Sequence, residues 1–239
     1  AYREAKARIG RRRRHESTEL DLSEMDLTEL PESIGDAFAL QTLDLSGNRL
    51  TSLPESLGHL TELRMLNLSD NQLTSLPESL GLLTQLQTLD VIRNELESLP
   101  ESLGSLHELE TLELGRNHLT WLPESMSQLS QLQTLNLGDN EQISLPNWLA
   151  ALMNLKVLRL FGNEIVLVPH WISQLAHLEE LELFENLLTS LPEALGELTQ
   201  LQSLELQLND LTSLPQSMAK LQHLKRLNLD DNPLNPEMA

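Results

Sequence analysis

Five carboxylate residues lie at related positions in the sequence and could do chemistry together. Their separations are all multiples of 23 residues, and they are Asp44, Asp90, Glu113, Glu182 and Glu205. Pairs of Asp or Glu side chains serve glycoside hydrolases as acid, base and nucleophile, so this enzyme class is the first to consider. One carboxyl of such a pair must keep its proton at neutral pH, and that depends on the element that carries it.

Other catalytic signatures are absent from the sequence. The seven His residues form no HExxH motif, and with no Cys the chain offers no thiolate nucleophile or metal ligand. There is no Gly-rich phosphate loop and no GxSxG. We therefore expect no cofactor, no metal site and no enzymatic activity.

The spacing of the carboxylates is that of a repeat covering nearly the whole chain. Stepping back from the first Asn of the series reaches Met25, which gives ten copies with the first lacking its Asn. Each copy reads LxxLxLxxNxLxxLPxxLxxL. The asparagines, 23 residues apart, are Asn48, Asn71, Asn94, Asn117, Asn140, Asn163, Asn186, Asn209 and Asn232.

This pattern resembles the leucine-rich repeat family over residues 20 to about 235. The resemblance implies an α/β fold: a curved, horseshoe-shaped solenoid with a parallel sheet on its concave face and short helical or 3₁₀ segments on its convex face. The LPESLG form is similar to the repeats of bacterial Roco proteins and of Ras-group arrays. That similarity implies an intracellular signalling context, in which an output domain could follow Ala239.

Elementary geometry supports the same architecture. Side chains alternate across a strand, so Leu43 and Leu45 point to the core while Asp44 points to water. The chain must turn after the strand, and stacking of the coils buries the polar groups of that turn. An Asn amide both donates and accepts, so we expect the Asn column to bond backbone groups of its own coil and the next.

The convex segments begin at a proline in nearly every copy, such as Pro54, because proline fits the first turn of a helix. Gly58 and its equivalents are predicted to end the segment. Trp148 and Trp171 replace the usual Ser on this side. We predict that their rings pack between neighbouring convex segments.

Two regions are predicted. Residues 1–19 form a basic cap helix and linker, with Tyr2 and Ile9 on the apolar stripe and Gly10 as the stop, placed over the first coil. Residues 20–239 form the solenoid of about ten repeats, and we expect its C-terminal cap to be missing.

Charge narrows the range of partners. The formal net charge is −20 although basic residues cluster at Arg11 to Arg14, so nucleic acid is not an expected partner and a protein with a basic surface is. No apolar run is long enough to span a membrane, and no secretion leader is visible. Together with the absence of Cys, these features favour a cytoplasmic location.

Internal comparison separates scaffold positions from free ones. The Leu, Asn and Pro columns hardly change, whereas the outward strand columns vary most at Arg159, Phe161 and Phe184. The two Phe residues are one coil apart, so their rings should be neighbours, and aromatics and Arg are enriched at binding hot spots. Arg159 could also form a simple surface ion pair with Glu182.

These columns predict a protein–protein interaction module, either a scaffold or a sensor segment, that binds through its concave face. The alternative is recognition of a glycan or cell-wall fragment. Catalysis is disfavoured because an open sheet is not expected to raise a carboxylate pKa. The predicted binding residues are Met65, Ile92, Glu113, Val157, Arg159, Phe161, Glu180, Glu182, Phe184 and Glu205.

Overall fold

One short β-strand occurs in every repeat at the predicted LxL positions. The computed structural model describes residues 1–12, 18–141 and 144–235, and the strands below lie within these ranges. The ten strands are β1 (Glu19–Asp21), β2 (Thr42–Asp44), β3 (Met65–Asn67), β4 (Thr88–Asp90), β5 (Thr111–Glu113), β6 (Thr134–Asn136), β7 (Val157–Arg159), β8 (Glu180–Glu182), β9 (Ser203–Glu205) and β10 (Arg226–Asn228).

The strands form a single parallel sheet whose spatial order is their order in the sequence. Each strand pairs in register with its neighbour, so Thr42 lies beside Met65 and Asp44 beside Asn67. Residues 23 apart therefore form straight columns across the sheet. We number the coils after their strands, so coil 7 contains β7.

Each of the strands β1 to β9 is followed on the convex side by one turn of 3₁₀ helix rather than by an α-helix. A proline precedes each of these segments in extended conformation. Within the described part of the chain the segments are Glu32–Asp36, Glu55–His59, Glu78–Leu82, Glu101–Ser105, Glu124–Gln128, Asn147–Ala151, His170–Gln174, Glu193–Glu197 and Gln216–Lys220.

The prediction that glycine ends these segments is wrong. Gly58 lies inside the segment Glu55–His59, and a Cβ on it would lie 2.6 Å from the carbonyl oxygen of Ser79 in the next coil. The glycine is required because neighbouring convex segments approach each other too closely for a side chain. Trp171 is 7% exposed and Trp148 packs against the core, as their predicted packing role requires.

The Asn column joins each coil to the preceding one, not to the next as the sequence analysis expected. Asn48 Oδ1 accepts from the backbone N–H of Leu27 at 2.9 Å, while Nδ2 donates to the carbonyls of Leu22 at 2.9 Å and Leu45 at 2.8 Å. The coils rely on this arrangement because buried backbone groups must be paired. The first copy has no preceding coil, which explains why Met25 replaces its Asn.

A helix, α1 (Tyr2–Arg12), covers the first coil. Ala5 and Ile9 are fully buried, whereas Tyr2 is 39% exposed. The helix continues two residues past the stop predicted at Gly10, because glycine weakens a helix without necessarily ending it. The remainder of the predicted linker and of the Arg11–Arg14 run, from residue 13 to 17, lies outside the described residues.

The opposite end of the solenoid leaves its last core position open. Leu227 of β10 is 41% exposed, whereas Leu204 at the same position of β9 is fully buried. The expected absence of a C-terminal cap concerns the sequence after this strand and stays a prediction. None of the helices in the described ranges combines the length and apolarity that a membrane crossing requires.

Candidate functional site

A cluster of aromatic and charged side chains occupies the concave sheet at coils 5 to 8. The central strand position of each of these four coils is buried, so the two flanking side chains face outward, as in the strand pattern around Leu158 and Leu181. A third outward position follows each strand and carries Phe161 in coil 7 and Phe184 in coil 8. The 23-residue register brings these positions together.

The two Phe rings stack in parallel, as their spacing predicted. Their centroids are 4.6 Å apart and their planes differ by 3°. The other side of the Phe161 ring lies against Gly138, where any Cβ would collide with the ring. Gly138 therefore provides the space that the Phe161 ring occupies. This role was not assigned from the sequence, although Gly138 lies in the same column as the two Phe residues.

Arg159 is bound by three carboxylates rather than by one. Its guanidinium lies 2.9 Å from Glu180, 3.4 Å from Glu182 and 3.6 Å from Glu113. The ion pair with Glu182 that was considered from the sequence is therefore one contact of a network spanning coils 5 to 8. The three contacts hold the Arg159 side chain in place, and it is only 28% exposed.

Three carboxyl groups of the concave face have a raised pKa, which corrects the expectation that an open sheet would not raise one. Burial raises the pKa of Asp90 and of Glu113. Burial also raises the pKa of Glu182, with a further contribution from its hydrogen bond with Glu180, and Arg159 offsets only part of that rise.

Glu182→Gln is expected to raise the free energy of unfolding at about pH 7, with the gain disappearing below about pH 4.5. The folded chain holds the Glu182 proton above its ordinary pKa of 4.5. The native state then binds more protons than the unfolded state, so wild-type stability falls as the pH rises through this range, whereas Gln carries no such cost. Denaturant unfolding across this pH range measures the difference.

Glu55→Gln on the convex side is the matched control, because it removes one negative charge away from the concave site. A lower stability of Glu182→Gln at neutral pH would contradict the prediction and show that the Arg159 contact dominates.

Beside the network, a concave hollow lies between the first outward positions of coils 7 to 9. Val157, Glu180 and Ser203 line it, together with Glu205 and Arg226. Arg226 lies 3.7 Å from Glu205. Val157 and Glu205 therefore lie next to the Arg159 network. Arg226 also lines the hollow, although it was not among the residues predicted to bind a partner.

Two of the predicted binding residues lie apart from this cluster. Met65 on β3 is 46% exposed, and Ile92 follows β4. Both face the concave side, but they belong to coils 3 and 4, whereas the Phe rings belong to coils 7 and 8. Both were predicted because they occupy the variable outward columns, and a column does not indicate how far apart two residues lie along the solenoid.

The chemistry available at the cluster is recognition of charge and of apolar or planar groups. In the part of the chain described, no group of three or more His, Cys, Asp or Glu is arranged to hold a metal ion. Each carboxylate of the network has Arg159 as a partner.

A parallel β-solenoid with an exposed, side-chain-rich concave sheet is the class of protein that the fold and the site define. Sequence profiles of the leucine-rich repeat match it along residues 39–165. The profile described as "Leucine Rich repeats (2 copies)" matches residues 39–82 and 61–103, and that described as "Leucine rich repeat" matches residues 84–141 and 109–165. The chain belongs to the leucine-rich repeat family, an interaction fold.

Several solved structures are similar. A leucine-rich repeat protein of Leptospira interrogans is 33% identical, with a TM-score of 0.66 over 92% of this chain and 68% of that one. The functional domain of InlJ from Listeria monocytogenes is 28% identical, with a TM-score of 0.79 over 91% of this chain and 45% of that one. A comparison with curated protein sequences finds no match.

The Arabidopsis receptor kinase HAESA, solved in complex with the peptide hormone IDA and a co-receptor, is 32% identical, with a TM-score of 0.78. That match covers 91% of this chain and 38% of the receptor chain. The chain therefore spans less than half of the Listeria and Arabidopsis proteins to which it is similar.

Proposed function

We propose that this chain is a protein-interaction module whose concave face, at coils 5 to 8, binds a protein partner that presents basic and apolar side chains. The observation that carries the proposal is the stacked pair of Phe161 and Phe184, held on Gly138 beside a carboxylate-rich network. Aromatic anchors of this kind contribute most of the binding energy at protein interfaces.

The charge balance supports a basic partner. Three carboxylates surround the single guanidinium of Arg159, so the network keeps an excess of negative charge. A partner cation can share these carboxylates without displacing Arg159. The net charge of −20 on the whole chain adds a long-range attraction that accelerates encounter with a basic protein.

The similar structures support a protein as the ligand. HAESA is described in complex with a peptide hormone and a co-receptor, so an array of this geometry can recognise protein and peptide. A cytoplasmic location, a scaffold or signalling role, the likeness to Roco proteins and an output domain after Ala239 stay predictions from the sequence.

Replacing both rings, Phe161→Ala with Phe184→Ala, is expected to weaken binding of a basic partner by about tenfold or more. Loss of the stacked pair should cost only about 1–2 kcal/mol of stability, because both rings are half-buried. Binding is measured by adding increasing concentrations of the protein to immobilised synthetic peptides in which Arg alternates with Phe or Leu, at low and at high salt. Denaturant unfolding of the same variants measures stability.

Phe38→Ala is the matched control, because Phe38 is 68% exposed and lies outside the concave sheet. If the double variant binds the peptides as tightly as Phe38→Ala does, the proposal is contradicted. A large loss of stability with unchanged binding would make the rings structural. If the wild type is retained on an immobilised polysaccharide and the double variant is not, the glycan alternative is favoured.

A further inference from the structure

A second surface with exposed apolar side chains lies on the flank of the solenoid, where the chain leaves the sheet in coils 6 to 8. It is an open groove, which we call the flank groove, and its apolar lining is Leu145, Ile165, Val166, Leu167, Pro169 and Leu187. Three of these side chains are largely in water: Val166 is 65% exposed, Leu167 is 60% exposed and Leu187 is 45% exposed.

The scaffold does not require apolar residues at these three positions. Val166 stands where coils 2 and 3 have Thr51 and Thr74, and Leu167 stands where they have Ser52 and Ser75. All four of these polar equivalents are exposed.

The third position gives the same comparison. Leu187 stands in the column of Arg49, Gln72 and Glu95. Three adjacent polar-to-apolar replacements form one contiguous groove, and a contiguous exposed apolar patch marks an interaction site more often than scattered apolar residues do.

The flank groove is separate from the concave site. Phe161 and Phe184 precede the buried asparagines of their coils, whereas Val166, Leu167 and Leu187 follow them. The Asn turn lies between the two surfaces. Substitutions in the groove therefore leave the aromatic pair and the Arg159 network in place.

The charges around the flank groove favour one kind of occupant. Glu164 lines the groove, and Glu141, Glu185 and Asp210 are exposed at neighbouring loop positions. No Lys or Arg is among the groove-lining residues that the structure describes. A second copy of this chain would bring the same carboxylates face to face, and its net charge of −20 would oppose the approach.

We propose that the flank groove docks a basic amphipathic segment of a partner protein, whose aliphatic side chains contact Val166, Leu167 and Leu187 while its Lys or Arg residues face the surrounding carboxylates. Apolar burial supplies the attraction, and the acidic rim repels acidic segments. This surface is additional to the proposed concave site and does not depend on it.

The test replaces the groove residues with those that other coils carry at the same positions, as Val166→Thr, Leu167→Ser and Leu187→Gln. The probes are three fluorescein-labelled synthetic peptides of equal length: Leu with Lys, Leu with Glu, and Ser with Lys. The wild type is expected to bind the Leu–Lys peptide and neither of the others. In the background of Phe161→Ala with Phe184→Ala, which removes the proposed concave site, the triple variant should lose affinity for that peptide by about tenfold or more.

Two controls make the outcomes distinct. Leu82→Ser with Met153→Ser removes exposed apolar residues elsewhere and should leave binding unchanged, since these side chains are 56% and 63% exposed on other surfaces. Phe161→Ala with Phe184→Ala should also retain binding in the groove. If the wild type binds the Ser–Lys peptide as tightly as the Leu–Lys peptide, or if only the Phe substitutions abolish binding, the flank-groove proposal is contradicted. Neither outcome would contradict the concave proposal. Self-association abolished by the triple variant would also overturn it, by identifying a second copy as the occupant.

Discussion

Asn117→Leu is expected to lower the free energy of unfolding by about 2–3 kcal/mol, although the two side chains are of similar size. The Asn117 amide joins coil 5 to coil 4. Its Oδ1 accepts from the backbone N–H of Leu96 at 3.0 Å, and its Nδ2 donates to the carbonyls of Val91 and Leu114, each at 3.0 Å. Asn117 is 4% exposed, so water cannot replace these bonds. The substitution leaves the Leu96 N–H without a partner, at a cost of about 1–3 kcal/mol. The carbonyls of Val91 and Leu114 each lose one of two donors, because Asn94 and Asn140 also donate to them.

Denaturant unfolding monitored by circular dichroism measures this loss. Asn154→Leu is the control, because Asn154 is exposed and its Nδ2 donates to one carbonyl, that of Ser130 at 2.7 Å. The control should change stability by about 0.5 kcal/mol or less, as surface substitutions usually do. Similar losses in the two variants would mean that the buried ladder is not what joins the coils.

The fold could be predicted from the sequence because the repeat makes one local solution apply to every coil. Alternation around Leu43 and Leu45 identified the strand and its two faces. The proline column identified where the convex segment begins. The direction of the Asn ladder was predicted wrongly, although Met25 indicated it: the first copy lacks its Asn because there is no earlier coil to bond.

The candidate site was predictable only where the repeat period determines position. The period placed Phe161 beside Phe184, and the rings stack. It could not show that Arg159 reaches Glu113 two coils away at 3.6 Å, because that contact depends on the conformation of a long side chain. Gly138 was overlooked because a residue without a side chain reads as an empty position in its column, whereas here it makes room for a ring.

The flank groove was missed for a different reason. In the Ser column that contains Leu167, only Trp121 had been noted from the sequence, as a residue that could edge a binding surface, and the columns of Val166 and Leu187 had not been compared. Leu187 and Leu167 interrupt polar columns as clearly as Phe161 does, so the sequence did carry this signal. Their exposure, and their meeting in one groove, needed the structure.

Gly81→Ala is expected to lower the free energy of unfolding by about 2–3 kcal/mol, although it adds a single methyl group. A Cβ on Gly81 would lie 2.5 Å from the carbonyl oxygen of Ser102 and 2.6 Å from the Ser102 Cβ. Both atoms belong to Ser102 of the next coil, whose backbone is held by the coils on both sides, so they cannot move aside cheaply. The convex segments of coils 3 and 4 would have to separate, and the sheet on the opposite face would bend with them.

Gly10→Ala supplies a control of opposite sign. Gly10 lies inside α1, where nothing is within 4 Å of an added Cβ, so alanine should stabilise the chain by about 0.5–1 kcal/mol through its higher helix propensity. Coil 6 supports the close-approach explanation for Gly81. It has Ala150 in the column of Gly81, opposite Trp171, and its convex segment packs less closely against its neighbours than the segments of coils 3 and 4 pack against each other. Wild-type stability in Gly81→Ala would contradict the close-approach explanation, and it would mean that the segments of coils 3 and 4 can separate as those of coils 6 and 7 do.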